Sequence, residues 1–211
     1  MGRIVQWLAQ YAVSRYYARM LAYIHGFNSC AASRTLGLLR EVFPQTAALE
    51  YPSGGSFSEN LGTLRTQAEN VSAGCAATSP LVLAGASLGG FYAAQLGSLL
   101  GTPCLLLNPV IQPALALRPF VGTQIHYYSG EEWEFTLAAC QSYAAAPDPR
   151  SVCLPRLVVI GLADDLLDPA ASLTYWQQDA RIHTTADGHS IARLDAVIRD
   201  WLATHGSGDC V

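Results

Sequence analysis

A long stretch of the chain, residues 70–117, contains no charged side chain. It includes an apolar run over residues 81–111, which a membrane-spanning helix would also explain. Glycines and Pro103 interrupt that run at intervals much shorter than the ~20 residues that a bilayer crossing needs. The stretch therefore predicts a buried strand, a helix and a second strand.

Short apolar runs alternate with longer amphipathic ones along the chain, which is typical of a mostly parallel sheet flanked by helices. The predicted strands are residues 21–25, 46–51, 81–85, 104–108, 157–161 and 181–185. The predicted helices are residues 33–43, 59–77, 88–100, 170–178 and 191–205. A length of 211 residues suits one domain over residues 1–211 and is short for two. We therefore expect a single α/β domain.

Composition limits the expected partners. The chain is 51% hydrophobic and 13% charged, with a formal net charge of -4 and no basic run to follow a phosphate backbone, so we expect no nucleic-acid partner. The six cysteines are scattered, and free thiols in a cytoplasmic location are the expectation over disulfides. No cysteine or histidine group has metal-ligand spacing and no phosphate-binding glycine loop is present, so we expect neither a metal nor an organic cofactor.

Residues 1–20 are an N-terminal extension in which apolar side chains recur at helical spacing. Arg15 and Arg19 interrupt this pattern, and no small-residue cleavage site follows, which disfavours a signal peptide. We expect an amphipathic helix without stable membrane insertion. Attachment of this helix to a membrane surface is the alternative.

Residues 111–155 break the alternation, since they show no clear strand and are rich in aromatic and acidic side chains. Long insertions in compact domains are commonly functional, and a lid over a pocket is the leading interpretation. On that interpretation Tyr128, Trp133 and Phe135 line a substrate pocket. The alternative is a set of ordinary packing helices.

Residues 85–89 read Gly-Ala-Ser-Leu-Gly, a GxSxG pattern that directly follows a predicted strand and directly precedes a predicted helix. The pattern alone is weak in a chain with 18 glycines, and its position between strand and helix makes it informative. A serine on such a turn is strained, and the two glycines remove collisions with the neighbouring strand and helix. Ser87 is the candidate nucleophile.

A serine hydroxyl near neutral pH needs a base and an orienting acid. Asp164 follows the strand at 157–161 and His189 follows the strand at 181–185, so both lie at carboxyl ends of strands, where open α/β sheets place their sites. The order Ser87, Asp164, His189 is that of an α/β-hydrolase. Taken singly, Asp164 is equally well explained as an acid near a helix start, and His189 as a surface residue.

Two further acids follow Asp164 closely. Asp164 is the earliest acid after the strand, whereas the adjacent Asp165 is expected to project in another direction. Asp168 precedes Pro169, which suits it to capping the next helix. We therefore assign the orienting acid to Asp164.

The segment His25-Gly26-Phe27-Asn28 follows the first predicted strand. Acyl transfer develops negative charge on a carbonyl oxygen, and two backbone N–H donors stabilise that charge. The amides of Phe27 and Leu88 are the expected pair. Gly26 lets the backbone turn close to the site, and His25 is expected to brace that turn by hydrogen bonds.

Five segments together resemble the YqiA/YcfP-like bacterial esterases of the α/β-hydrolase superfamily: HGFNS at 25–29, GASLGGFYA at 85–93, NP at 108–109, ADDLLD at 163–168 and GH at 188–189. The similarity runs from about residue 21 to residue 202. It implies an α/β-hydrolase fold and hydrolysis of short-chain carboxylic esters, with thioesters as a possible natural class. It maps the nucleophile, acid and base to Ser87, Asp164 and His189. The N-terminal extension and the alanine-rich lid segment depart from the family pattern.

The sequence thus predicts a serine esterase that acts on a small-molecule ester or thioester through an acyl-enzyme on Ser87. Acyl transfer, lactone opening or peptide hydrolysis by the same three residues is an alternative, because a fold and a triad do not fix the acceptor or the leaving group. A binding protein that keeps the fold without catalysis is the third hypothesis.

Overall fold

The computed structural model describes residues 20–73 and 81–205. This part of the chain contains eight strands: β1 (Met20–Ile24), β2 (Ala47–Leu49), β3 (Leu81–Ala86), β4 (Cys104–Leu107), β5 (Gly122–Ile125), β6 (Glu132–Phe135), β7 (Arg156–Gly161) and β8 (Arg181–Thr185). Six of them form one sheet in the order β2-β1-β3-β4-β7-β8, and every neighbouring pair in it is parallel. Strands β5 and β6 form a separate antiparallel hairpin.

Helices cover both faces of the six-stranded sheet. They are α1 (Arg34–Val42), α2 (Phe57–Ala73), α3 (Leu88–Leu100), α4 (Pro113–Ala116), α5 (Leu137–Ser142), α6 (Pro169–Trp176) and α7 (Ala196–His205). Helices α1, α2, α3 and α6 each lie between two strands of the sheet, so the chain alternates strand and helix as a parallel sheet requires.

Successive side chains of the central strands enter two different cores. Leu83 on β3 and Ile160 on β7 pack in one core with α2 and α3, whereas Val82 and Val159 pack in the other with α1 and α7. Because side chains alternate across a strand, this division shows that both faces of the sheet are buried. The apolar run at 81–111 is thus β3, α3 and β4, which confirms the prediction for that stretch.

All six predicted strands of the sheet are present, although β2 is shorter than expected. The last helix begins at Ala196 rather than at residue 191. The reason is Asp195, whose carboxylate accepts a hydrogen bond from the Ile198 amide at 3.1 Å and so caps the helix start. Residues 191–195 instead form a loop beside the sheet.

The expectation that residues 111–155 contain no strand is wrong, because they hold the β5–β6 hairpin. Along β6 the exposed Glu132 and Glu134 alternate with the more buried Trp133 and Phe135. The sequence signal for this strand was the alternation of polar and aromatic residues with a period of two, which was hidden because the segment is rich in glutamate. The rest of the segment includes α4, α5 and three short 3-10 helices.

Across the described residues, no helix combines the length and the apolar character that a bilayer crossing requires. Cys30, Cys104, Cys140 and Cys153 are free thiols, while Cys75 and Cys210 lie outside the described residues. The helix predicted for the N-terminal extension also lies outside them.

Candidate active site

Ser87 lies on the sharp turn between β3 and α3. Its backbone has φ 56° and ψ -122°, a conformation that L-residues rarely adopt and that must be held by its surroundings. The Ser87 amide donates to the Leu107 carbonyl at 2.9 Å, and the Ser87 carbonyl accepts from the Val110 amide at 3.1 Å. The end of β4 therefore fixes the strained turn from one side.

Glycines allow this turn to pack against its neighbours. A Cβ on Gly85 would collide with the backbone of Gly89, and a Cβ on Gly89 would collide with the carbonyls of Ile24 and His25 at the end of β1. Both positions therefore require glycine. The GxSxG spacing thus reflects close approach of α3 to β3 and β1, as the sequence analysis expected.

Asp164 and His189 meet at the carboxyl ends of β7 and β8. The Nδ1 atom of His189 lies 2.9 Å from Oδ2 and 3.1 Å from Oδ1 of Asp164. The Asp164 side chain is 2% exposed, and its Oδ1 also accepts hydrogen bonds from the amides of Leu166 and Leu167. The carboxylate is therefore fixed in place by its own loop while it holds the imidazole.

The other two acids of this loop do not reach His189. Asp165 is exposed, and Asp168 accepts hydrogen bonds from the Ala170 and Ala171 amides at the start of α6. Asp168 is thus the helix cap that the following proline indicated. Of the three acids, the structure brings only Asp164 to the imidazole.

Asn108 ties three segments of the site together, a role that the sequence analysis missed. This buried residue follows β4, and its Oδ1 accepts from the Gly161 amide at 2.7 Å. Its Nδ2 donates to the carbonyls of Gly188 at 3.0 Å and His189 at 2.8 Å. Its φ of 42° places it in the left-handed region, which asparagine tolerates better than most residues. The Asn-Pro dipeptide was visible in the sequence, but not what the amide would contact.

The turn after β1 lies against Ser87. A Cβ on Gly26 would come within 3.3 Å of both the Ser87 Cβ and the Ala86 carbonyl, so a side chain there would crowd the turn at Ser87. His25 is buried, stacks on Tyr51 and donates from Nδ1 to the Gly26 carbonyl at 2.8 Å. Burial lowers the pKa of His25, which favours the neutral imidazole.

Asn28 joins this turn to the hairpin of the insertion. Its Nδ2 donates to the Ile125 carbonyl at 2.8 Å, and its Oδ1 accepts from the Trp133 indole at 3.1 Å. Its φ of 59° is again left-handed. The sequence analysis assigned no role to this asparagine, although it lies within the HGFNS segment.

Ser87 and His189 open onto one cavity of about 400 Å³. Apolar side chains of its wall come from β4, the insertion and the loop after β7: Leu107, Val110, Leu117, Phe120, Leu166 and Leu167. Tyr127 and Tyr128 at the tip of the hairpin also line it. Ser87 makes no hydrogen bond to His189 in the structure, a geometry common in hydrolases without bound substrate.

Only one of the three predicted pocket residues lines this cavity. Tyr128 does, whereas Trp133 and Phe135 lie behind Phe27, with ring centroids 5.5 Å and 5.0 Å from its ring. Their placement on the cavity wall is therefore corrected. Trp133 and Phe135 sit on the inward side of β6, where they support the turn at Phe27 rather than contact the cavity.

Leu88 follows Ser87 in the chain, and Phe27 follows Gly26, where an added Cβ would lie 3.3 Å from the Ser87 Cβ. Neither amide has a hydrogen-bond partner among the described residues. That these two N–H groups bind a developing oxyanion therefore stays a prediction at this point.

A model of the uncharacterised protein family UPF0227 matches residues 20–203. The chain belongs to this family. UPF0227 is the YqiA/YcfP-like family whose motifs the sequence carries, so that resemblance is confirmed. The matched residues include every segment that forms the site.

Solved structures similar to this UPF0227 chain share its fold at low sequence identity. Est1E from Butyrivibrio proteoclasticus has a TM-score of 0.70 at 14% identity, with 90% of this chain and 89% of that chain covered. A monoacylglycerol lipase from Paleococcus ferrophilus has a TM-score of 0.63 at 15% identity, with 88% and 94% covered. A putative α/β-superfamily hydrolase from Xanthomonas campestris has a TM-score of 0.53 at 20% identity, with 89% and 96% covered. The α/β-hydrolase fold is thus confirmed.

Histidines of the UPF0227 chain outside the cavity have structural partners. His183 on β8 lies 2.6 Å from Asp195, the residue that caps α7, and His205 stacks on Trp201. Burial raises the pKa of Asp195, but the hydrogen bonds from His183 and from the Ile198 amide outweigh it and the net shift is downward. Within residues 20–73 and 81–205, no three of the His, Cys, Asp and Glu side chains cluster to hold a metal ion.

Proposed function

We propose that the protein is a serine hydrolase that cleaves carboxylic esters through an acyl-enzyme on Ser87. One observation carries the proposal. The strained Ser87 shares a cavity with His189, and the Nδ1 atom of His189 is hydrogen-bonded to the buried carboxylate of Asp164. Nucleophile, base and orienting acid are thereby supplied in the order expected of an α/β-hydrolase.

The hydrogen-bond pattern supports one proton path. A carboxylate only accepts, so His189 carries its proton on Nδ1 and leaves Nε2 free as a base. As Ser87 Oγ attacks the ester carbonyl carbon, its proton passes to Nε2. The imidazolium, stabilised by Asp164, then gives this proton to the departing alcohol. Water repeats the sequence on the acyl-enzyme and releases the acid.

The amides of Phe27 and Leu88 are proposed to bind the carbonyl oxygen as it becomes negative. A donor of this kind contributes about 3 kcal/mol to transition-state stabilisation. His25 holds the turn from behind by its hydrogen bond to the Gly26 carbonyl. We place this imidazole outside the chemistry because it is buried against Tyr51 and does not line the cavity.

The cavity suits a short acyl chain. Its volume of about 400 Å³ lies at the small end of the range for ligand sites, and the apolar residues of the insertion form much of its wall. We propose that residues 111–155 cover the acyl group, with Tyr128 at the cavity mouth and Trp133 and Phe135 acting through Phe27.

A fluorophosphonate probe and a panel of nitrophenyl esters test the proposal. The wild-type protein should be labelled and should hydrolyse short-chain esters, whereas Ser87→Ala should lose labelling and retain less than about a thousandth of the turnover. Ser58→Ala, which removes an exposed serine of α2, is the matched control and should behave as wild type. Labelling that persists in Ser87→Ala would overturn the assignment of the nucleophile.

Acyl-thioesters, lactones and an added alcohol acceptor extend the same panel. Faster cleavage of thioesters would make the protein a thioesterase, and transfer to the alcohol would make it an acyltransferase on the same residues. A protein that neither reacts with the probe nor turns over any member of the panel would be a binding protein with this fold.

A further inference from the structure

The cavity at Ser87 has a second, polar set of lining residues besides its apolar wall. Ser29, Ser33, Arg34 and Thr35 come from the loop before α1 and from the start of that helix. None of the described residues that line the cavity is an aspartate or glutamate. Among these described lining residues Arg34 is the one permanent charge, and no carboxylate among them neutralises it.

Arg34 has spare hydrogen-bonding capacity. A guanidinium offers five N–H donors, and the bond that the structure records for Arg34 runs from Nη2 to the Ala192 carbonyl at 3.0 Å. Within the described part of the chain it forms no ion pair, whereas Arg65 and Arg150 each have a carboxylate partner. An exposed, unpaired guanidinium that lines a reactive cavity can form charge-assisted hydrogen bonds to an anion of the substrate.

We infer that Arg34 binds an anionic group, a carboxylate or a phosphate, in the alcohol part of the ester. This inference rests on the proposed function, because it concerns the substrate of the same site. The apolar wall from the insertion takes the acyl chain, so the charged end of the molecule lies toward Arg34 and the hydroxyl groups of Ser29 and Thr35. The substrate is thus an amphiphile, apolar in its acyl part and negative in its alcohol part.

A matched pair of substrates isolates the charge. 4-Carboxyphenyl butyrate and 4-carbamoylphenyl butyrate have the same acyl group and nearly the same shape, but only the first is an anion at neutral pH. A third ester with a phosphate at the same ring position distinguishes the two sources of negative charge. Release of the phenol gives kcat/KM for each, and the wild-type protein should favour an anionic ester by about tenfold. Added salt should reduce that preference.

Three variants assign the preference to Arg34. Arg34→Gln should lower kcat/KM for the anionic ester about tenfold more than for the carbamoyl ester, and Arg34→Lys should restore part of the preference. Arg40→Gln is the matched control, because Arg40 is also exposed on α1 and donates to one backbone carbonyl, that of Thr46, but does not line the cavity. It should keep the wild-type preference.

Two kinetic outcomes would overturn the inference. Equal preference in wild type and Arg34→Gln would show that no anion binds there. An equal loss for charged and neutral esters would show that Arg34 acts only by holding Ala192 and the segment after His189.

A binding measurement distinguishes failure of this inference from failure of the proposed function. Calorimetric titration of Ser87→Ala with the two esters should show about tenfold tighter binding of the anionic one, and the double variant with Arg34→Gln should lose that difference. If the wild-type protein cleaves no ester but this binding difference is present, the hydrolase proposal fails and the anion site stands. If both esters bind equally, the anion site fails whatever the activity.

Discussion

The side-chain amide of Asn108 donates a hydrogen bond to the main-chain carbonyl of His189 at 2.8 Å. The same side chain also bonds Gly188 and Gly161, so one buried residue after β4 fixes the loop that carries His189 and the end of the strand that precedes Asp164. We regard Asn108 as a positioning residue, since it acts on the substrate only through His189.

Asn108→Asp should slow catalysis more than binding. The variant keeps the acceptor for the Gly161 amide but loses both donors and sets a carboxylate against two carbonyls, at a cost of about 1–3 kcal/mol for each unsatisfied group. We expect kcat to fall roughly tenfold to a hundredfold with KM nearly unchanged, and the fluorophosphonate reaction to slow in parallel. Asn60→Asp, at a buried asparagine away from the cavity, is the control and should lower the melting temperature without slowing the probe. A rise in KM alone would refute the positioning role.

Substitutions of the three acids after β7 should give very different rates. Asp164→Asn removes the carboxylate that holds the His189 tautomer and should reduce turnover by about four orders of magnitude with little loss of stability. Asp165→Asn should leave turnover near wild type. Asp168→Asn should also do so, because asparagine caps a helix about as well as aspartate. Steady-state kinetics of the three variants decide the assignment, and a larger loss at Asp165 than at Asp164 would contradict it.

Phe120→Ala should change the preference for acyl length. Phe120 lines the cavity, so shortening it enlarges the apolar end and should favour longer acyl chains while the rate with acetate esters stays within a few-fold of wild type. Relative kcat/KM over a series of nitrophenyl esters measures this shift. An unchanged series would mean that the acyl chain lies elsewhere.

Trp133→Phe should lower the rate for every acyl length alike. This variant keeps an aromatic ring behind Phe27 but removes the indole donor to Asn28, so the turn that presents the Phe27 amide loses a support. We expect a several-fold fall in kcat across the same ester series, consistent with about 1 kcal/mol for one hydrogen bond. A change of acyl preference instead of rate would return Trp133 to the pocket wall.

Stability should fall below pH 6.5 through His25. Burial lowers its pKa in the folded protein below the ordinary value of 6.5, so the unfolded chain binds the proton more readily than the folded one. The contribution of His25 to stability is therefore fully present above pH 6.5. It decreases as the pH falls below that value, by at most about 1.4 kcal/mol per pH unit. Denaturant unfolding between pH 7 and pH 5 should show a shallower decline in His25→Gln than in wild type. Parallel declines would exclude this histidine as a source of acid sensitivity.

The proposed roles of Ser87, Asp164 and His189 could be predicted because each residue follows a predicted strand of the sheet. Ser87, Asp164 and His189 could be ordered along the chain, and parallel strands bring such positions to one edge. The role of Asn108 could not be predicted, because it depends on contacts among three segments far apart in sequence. Trp133 and Phe135 were misplaced for a related reason: aromatic composition marks an insertion, but the register of its hairpin decides which rings face the cavity.

Asn28 couples the hairpin to the turn at Phe27 through bonds to Ile125 and Trp133. A hairpin tied in this way cannot be remodelled without also disturbing the turn at Phe27, whose amide we propose binds the carbonyl oxygen. A hairpin engineered for another acyl length is therefore expected to lose rate as well. Variation that alters selectivity alone should be found at the exposed hairpin tip, at Tyr127 and Tyr128, beyond the reach of that coupling.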